Sequence, residues 1–336
     1  MKTKLLLTGF FLSGFLSLNA QNVASNSTVT SGGLQSGSNG EGNTFYGYQA
    51  GMSTNNITFS NNTFIGHSAG RTNTSGKQNV FIGNHSGIDN TTGTNNLFIG
   101  YGSGSNNTTG IQNTYIGSLA GAFAPGSTNT FIGYGSGREN DGNNNTFIGI
   151  NAGAESRGSG NVLIGAYVAL SYDIDNKLYI DNKETDTPLI WGDFTASQLK
   201  LNGKVGIGST FGNFPTTAGG VNLNNYSLFV KGGILTEEVR VNLQSAWADY
   251  VFQPEYQLPT LNEVEKHIQE KGRLINVPSA AQIAEEGIAL GEMIKIQQEK
   301  IEELTLYIIE QNKTNEKQAK DIEELKKLVN NLTNNK

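Results

Sequence analysis

The sequence contains no cysteine. This absence excludes disulfide bonds, a lipid-modified cysteine as a membrane anchor, and the thiolate ligands of most structural zinc sites. If the chain enters an oxidising compartment, its stability must therefore come from packing or assembly.

Charged and apolar residues are also scarce. Charged residues make up 15% of the 336 residues and hydrophobic residues 36%, whereas glycine occurs 43 times. This is too little apolar material for several large globular cores and favours a stacked or elongated form. The formal charge of −6 and the lack of a basic stripe predict no nucleic-acid partner.

The N-terminus has the pattern of a secretory signal peptide, predicted over residues 1–20. Lys2 and Lys4 precede an interrupted apolar stretch, and Ala20 offers a cleavage site before a polar segment. The alternative, a membrane anchor, is disfavoured because the apolar stretch is short. We expect a secreted, extracellular or cell-surface protein of formal charge −8, with no membrane-spanning segment after signal removal and a disordered segment over 21–42.

A repeat dominates the next part of the chain, residues 43–170. The unit Asn-Thr-Phe-Ile-Gly, with variations, occurs eight times, and its closing glycines are spaced 19, 17, 17, 17, 16, 16 and 16 residues apart. A second glycine, preceded by Ala or Ser, follows four residues after most of them. A unit of this length suits one coil of a β-solenoid, with Gly, Asn and Ser at the corners.

Each apolar triplet predicts a short strand whose side chains alternate between two faces. One ladder consists of Phe45, Phe64, Phe81, Phe98, Tyr115, Phe131, Phe147 and Leu163. The opposite ladder consists of Tyr46, Ile65, Ile82, Ile99, Ile116, Ile132, Ile148 and Ile164. One ladder can fill the coil interior, and leaving the other in water forfeits on the order of 10–20 kcal/mol. We therefore predict that the second ladder faces neighbouring subunits; the alternative is a monomeric solenoid covered by its own loops.

The unit Asn-Thr-Phe-Ile-Gly-x-x-Ala-Gly resembles the head repeat of trimeric autotransporter adhesins. This resemblance implies a left-handed parallel β-roll that exists only as a trimer. Adhesins of this family end in membrane-spanning β-strands, whereas the present sequence ends in a polar helical pattern. We therefore do not expect the chain to anchor itself as they do.

Residues 171–244 are predicted to form a β stalk of short alternating runs separated by Gly and Asn turns. The runs are Lys177 to Ile180, Pro188 to Trp191, Val205 to Gly208, Leu228 to Val230 and Val239 to Val241. They resemble the shaft-to-tip segments of phage tail-fibre-like proteins.

Residues 245–290 change in character and predict a small helical domain. Capping boxes at Thr260 and Ser279 begin two helices that Gly272 and Gly287 can end. The run from Trp247 to Phe252, with Leu258-Pro259 and Val277-Pro278-Ser279, resembles the C-terminal domain of tail-fibre-like proteins. That resemblance implies a relative of the endosialidase-type intramolecular chaperone, which assists assembly of trimeric β-fibres. Some members cleave themselves at a Ser-Asp junction, but Ser245 is followed by Ala246, so self-cleavage is not expected.

Residues 291–336 carry an unbroken heptad pattern and predict a coiled coil of roughly 63 Å. Position a holds Ile294, Ile301, Ile308, Asn315, Ile322 and Val329, and position d holds Gln297, Leu304, Gln311, Gln318, Leu325 and Leu332. Ile at a, Leu at d and a buried Asn favour dimers. A trimer is nevertheless predicted, because a wider core tolerates Gln at d and a β-roll must match its stalk in symmetry.

The sequence offers little for catalysis. Residues 41–170 contain nine charged side chains, and the carboxylates Glu41, Asp89, Glu139, Asp141 and Glu155 are expected to share no column of the repeat. A glycosidase needs two carboxylates about 5–10 Å apart. His67 and His85 lie at different repeat positions and need not meet, and His267 falls on a predicted helix. We therefore predict no enzyme activity, no metal site and no cofactor.

The pattern as a whole predicts a mostly β structural or adhesive trimeric fibre. Its polar loops, with aromatic tips such as Tyr48, Tyr101 and Tyr134, offer a surface for a glycan or protein receptor. One alternative is a receptor-binding, tail-fibre-like component of a phage-like or injection particle, which the signal peptide opposes. Another is a polysaccharide-acting enzyme on a β-solenoid.

Overall fold

The computed structural model describes residues 24–25, 29–55, 60–169, 173–208, 212–242 and 247–334. The predicted signal peptide and Ser245 lie outside these residues. The chain divides into two units, one ending at Gly203 and one beginning at Lys204.

The first unit is a parallel β-solenoid built on one sheet of thirteen strands in chain order. The strands are β1 (Ala24–Ser25), β2 (Val29–Gly32), β3 (Asn43–Tyr46), β4 (Thr63–Ile65), β5 (Val80–Ile82), β6 (Leu97–Ile99), β7 (Thr114–Ile116), β8 (Thr130–Ile132), β9 (Thr146–Ile148), β10 (Val162–Ile164), β11 (Lys177–Ile180), β12 (Ile190–Asp193) and β13 (Gln198–Leu201). Strands β2 to β11 pair in parallel, and β1, β12 and β13 pair antiparallel at the two ends. The ten parallel strands make about nine turns and a stack of about 43 Å.

The register follows from the repeat. Equivalent residues pair across successive coils, as Phe64 does with Phe81 and Ile65 with Ile82. Spacings of 16 to 19 residues are therefore absorbed in the loops, and every strand presents its aromatic or leucine residue to the same face. The solenoid-like β prediction for residues 43–170 is confirmed.

The parallel stack extends beyond the predicted repeat at both ends. Strand β2 pairs with β3, with Ser31 opposite Phe45 and Gly32 opposite Tyr46. At the other end, Tyr179 pairs with Leu163 and is buried. The first coil lacks the apolar triplet on which the prediction relied, so only its two glycines, Gly33 and Gly37, mark it as a repeat.

The closing glycine of each coil is required by geometry. Gly66 has a φ of +137°, and a Cβ there would lie 2.4 Å from the carbonyl oxygen of Gly83 in the next coil. The equivalent glycines stack in the same way, so no side chain fits anywhere in this column.

The aromatic ladder and a ladder of asparagines together fill the interior of the coils. The Phe/Tyr rings stack at centroid distances of 4.7–5.2 Å. Beside them, the first asparagine of each repeat is buried. Its side-chain oxygen accepts from the backbone N–H of the equivalent asparagine in the next coil, at 2.9–3.0 Å. Its amide donates to a corner glycine carbonyl at 2.8–2.9 Å in most coils. The asparagine ladder thus satisfies backbone groups that would otherwise be buried without partners.

The second unit begins with two short strand pairs. Strand β14 (Val205–Ile207) pairs in parallel with β17 (Leu228–Val230), and β15 (Thr217–Ala218) pairs antiparallel with β16 (Val221–Asn222). The strand predicted from Val239 to Val241 does not form. Both valines are exposed, and no neighbouring strand pairs with this short run.

Helices complete the second unit. A 3₁₀ helix (Ala248–Phe252) precedes α1 (Leu261–Lys271), α2 (Ala280–Glu286) and the long α3 (Leu290–Asn334). Both predicted capping boxes are confirmed, from Thr260 to Glu263 and from Ser279 to Gln282, and the two helices end at Gly272 and Gly287. From Gly291 to Asn334, the heptad region is one uninterrupted helix.

Candidate functional site

The two predicted ladders of the solenoid lie on opposite faces of the sheet. Every Phe, Tyr or Leu of the first ladder is buried in the coil interior. On the outer face, Tyr46, Ile65 and Ile148 are exposed and the remaining isoleucines are half-buried. In each strand, the residue directly before the buried Phe, Tyr or Leu also lies on the outer face. This residue is Thr, Val or Leu. The result is a strip along the stack in which the column from Tyr46 to Ile164 is apolar and the column beside it is mostly threonine. We call it the apolar strip.

A second surface runs along the corner that follows each closing glycine. We call the aromatic residues of this corner the corner row: Tyr48, His67, His85, Tyr101, Tyr134 and Tyr167. Ring centroids are 5.1 Å apart from Tyr48 to His67, 5.4 Å from His67 to His85 and 6.3 Å from His85 to Tyr101.

The two histidines therefore meet, although their repeat positions differ by one residue. His67 directly follows a closing glycine, whereas His85 is the second residue after one and has a φ of 59°. Because the chain turns at this position, the one-residue offset does not separate the rings. No cluster of three or more His, Asp or Glu side chains suited to a metal ion occurs in the described ranges.

The expectation that the carboxylates share no column is wrong for three of the five. Asp89, Glu139 and Glu155 each lie two residues after a second glycine, and the two glutamates are in successive coils. Arg138 bridges them, with its Nη2 atom 2.9 Å from Glu139 and 3.4 Å from Glu155. All three side chains are partly or fully exposed and lie in no enclosed cleft, as expected of a surface ion pair with little net effect on stability.

One position in the aromatic ladder differs from its neighbours. Tyr115 places a phenol where most coils have phenylalanine, and burial raises its pKa well above the usual range. The side chains of Asn129 and Asn107 lie near the hydroxyl and partly oppose this rise, but neither is in hydrogen-bonding geometry with it. The same coil has Ala124 where several other coils have a buried asparagine, which leaves room for the hydroxyl.

In the second unit, the chain covers one face of α3 with its own residues. Tyr250 and Tyr256 donate hydrogen bonds to Glu299 and Glu303, which are both buried. Lys300 lies 2.9 Å from each of these carboxylates. In the heptad, Glu299 and Glu303 occupy positions f and c, on the side away from positions a and d.

Hydrogen bonds within this cluster stabilise the ionised form of Glu299 and the neutral form of Tyr250. The hydrogen bond to Glu299, together with burial, raises the pKa of Tyr250 to about 12. Burial opposes ionisation of Glu299, but hydrogen bonds from Tyr250, Lys300 and Asn276 outweigh it and hold the pKa of Glu299 below its usual value. The cluster therefore keeps an ionised carboxylate on a covered helix face at neutral pH.

The opposite face of α3 is open. We call the residues at positions a and d of the heptad the α3 seam. Its apolar members are all exposed: Ile294, Ile301, Leu304, Ile308, Ile322, Leu325, Val329 and Leu332. The polar members Gln297, Gln311, Asn315 and Gln318 interrupt the seam.

Two open clefts flank the segment from Leu258 to Pro259. One, of about 360 Å³, lies against Tyr307 of α3, and the other, of about 500 Å³, is lined by His267, Glu263 and Glu270 of α1. Thr260 lines the first cleft, and its hydroxyl donates to Glu263 at 2.8 Å as part of the capping box of α1. His267 lies on α1, as the sequence predicts.

No protein-family model, curated protein or solved structure matches this chain. Among the described residues, no helix is both long and apolar enough to cross a membrane. The assignment of function therefore depends on the surfaces described above.

Proposed function

We propose that this protein is a secreted, non-enzymatic surface fibre that assembles as a homotrimer and adheres to cell, host or glycan surfaces. The observation that carries the proposal is the open α3 seam. The chain covers the b, c and f side of α3 with its own tyrosines and leaves a regular apolar seam on the other side. Such a seam is stable in water only when helices of other subunits cover it.

The apolar strip of the solenoid supports the same assembly. Its isoleucine column repeats through successive coils, and within the described residues of its own unit these side chains remain half-buried or exposed. The alternative of a monomeric solenoid covered by its own loops lacks support, because the loops lie at the corners and leave the strip accessible. Contact with other copies removes this surface from water.

A homotrimer is preferred over a dimer for two reasons. Gln297, Gln311 and Gln318 occupy d positions, which a wider core tolerates better than a two-stranded core. The resemblance of the repeat to trimeric autotransporter adhesin heads adds that a β-roll of this kind is stable as a trimer. We also propose that residues 245–290 assist assembly of the trimer, as their resemblance to a chaperone-like domain implies.

Secretion and adhesion are tested by locating the protein in its native cells. The full chain should be labelled by antibody on intact, unpermeabilised cells or in the medium, whereas a variant lacking residues 1–20 should remain inside. If the variant lacking residues 1–20 reaches the same place, the secreted fibre is wrong and a cytoplasmically assembled tail-fibre-like component is favoured. Release of sugar products from a surface polysaccharide by the purified protein would instead favour an enzyme.

A further inference from the structure

We infer that the corner row of the solenoid binds neutral glycan chains. This inference deepens the proposed function and rests on it for the exposure of the solenoid at a surface. The row consists of the six residues Tyr48, His67, His85, Tyr101, Tyr134 and Tyr167, on the corner beside the apolar strip.

The tyrosines of the corner row are exposed and stand on a fixed backbone. Tyr101 is 55% exposed and Tyr134 is 52% exposed. The carbonyl of Tyr101 accepts from the backbone N–H of Leu119 at 2.8 Å, and that of Tyr134 accepts from Asn151 at 2.8 Å. Because the backbone is fixed from coil to coil, a ligand has to order only the side chains, which limits the loss of conformational freedom on binding.

The coil between these two tyrosines separates their rings. Tyr101 and Tyr134 occupy the same repeat position two coils apart, which is about 9.6 Å along the stack. The intervening coil has the small Ser118 at this position and the half-buried Leu119 after it, and a Cβ at Gly102 would lie 3.0 Å from the Cδ2 atom of Leu119. The two tyrosines therefore border a small, uncharged surface on which one sugar ring can lie.

The chemistry of the row favours an uncharged sugar. Aromatic rings have electron-rich faces that attract the C–H faces of a pyranose, and tyrosine adds a hydroxyl at the rim. None of the residues at the first and second positions after the eight closing glycines is Asp, Glu, Lys or Arg. Nucleic acids and acidic glycans require cationic side chains, so they do not fit this row.

The period of the row also matches a polymer. Rings recur at about one strand spacing from Tyr48 to Tyr101. The sugar rings of an extended polysaccharide recur at a similar interval, so successive sugars can contact successive coils. A chain lying along the stack would gain contacts at several coils at once.

The test uses the full-length secreted protein on an array of neutral gluco-, manno- and galacto-oligosaccharides, with sialylated and sulfated oligosaccharides as the charged comparison. We expect binding to at least one neutral class, and a loss of affinity of about tenfold or more in the double variant Tyr101→Ala/Tyr134→Ala. Tyr226→Ala is the matched control, because Tyr226 is 51% exposed but lies in the second unit. The control should bind like the unchanged protein.

The inference is overturned by any of three results: no binding to neutral sugars, binding to charged sugars only, or binding that the double variant retains in full.

The oligomeric mass and melting temperature of each variant distinguish loss of a binding surface from loss of fold. If the protein proves to be intracellular yet binds neutral glycans through Tyr101 and Tyr134, the corner row stands and the proposed surface fibre falls. If it is a secreted trimer that ignores them, only the corner row falls. The array should also compare free oligosaccharides with glycoproteins that carry the same sugars. This comparison shows whether the natural ligand is a polysaccharide or a glycoprotein.

Discussion

At the scale of single residues, the solenoid is defined by positions that accept only one side chain. The closing glycines allow the coils to approach, since a Cβ at Gly100 would lie 2.4 Å from the carbonyl oxygen of Gly117. The asparagine ladder connects each coil to the next through its side chain, so Asn113 both accepts from Asn129 and donates to Gly126. These residues recur because each coil poses the same steric and hydrogen-bonding problem.

Tyr115 is the exception at this scale, and it leads to a prediction about pH. Tyr115→Phe should stabilise the protein by about 1 kcal/mol at neutral pH, because it removes a buried hydroxyl without a partner. Since the pKa of Tyr115 is raised in the folded protein, its phenol ionises first in the unfolded chain, and stability falls as the pH rises above about 10. The advantage of Tyr115→Phe should therefore grow above that pH.

The measurement is urea unfolding of both proteins from pH 7 to pH 11. The reverse change, Phe98→Tyr, is the control, because its coil carries the buried Asn107 where the coil of Tyr115 carries Ala124. It should destabilise the protein. If Tyr115→Phe is destabilising at neutral pH, the hydroxyl has a partner in solution and this account of the ladder is wrong.

At the scale of elements, the seam of α3 is expected to pack against other copies of the chain. Ile308 and Ile309 are neighbours of the same type, 60% and 46% exposed, but only Ile308 lies in the seam. Ile308→Ser should lower the stability of the assembled helix by about 1.5–3 kcal/mol per chain, since it removes a side chain that assembly buries. Ile309→Ser should change it by no more than about 0.5 kcal/mol.

The two variants are compared by thermal melting of the helix, monitored by circular dichroism at several protein concentrations. Equal effects of the two substitutions would mean that α3 does not associate through positions a and d.

The elements also reveal what sequence could and could not predict. Recurrence of the closing glycines every 16 to 19 residues was sufficient to predict the parallel, in-register stack, because a repeated steric constraint leaves one register. The first coil was missed because Ser31 and Gly32 replace the apolar pair. Its contribution to the core comes from Val29, which lies outside the predicted triplet position. The strand from Val239 to Val241 was wrong for the converse reason, since alternation alone does not supply a neighbouring strand.

The candidate surfaces were predicted less completely. The aromatic tips Tyr48, Tyr101 and Tyr134 were identified, but the contact between His67 and His85 depends on a left-handed residue at the corner that spacing does not reveal. The Glu139–Arg138–Glu155 bridge was missed because the shared offset of both carboxylates from Gly137 and Gly153 is visible only when the second glycine is taken as the reference.

At the scale of the whole molecule, two apolar surfaces of different kinds favour assembly. The strip of the solenoid and the α3 seam belong to separate units. Regularly spaced aliphatic side chains are half-buried or exposed in the strip and exposed in the seam. A homotrimer would bury both, whereas a monomer would leave both in water at a large cost in free energy. Stability of the folded chain should therefore increase with protein concentration.

Native mass spectrometry of the secreted protein tests the central claim of a homotrimeric fibre most directly. We predict one dominant species with the mass of three chains, each lacking residues 1–20 and otherwise intact. A dimer or a monomer at micromolar concentration would contradict the account.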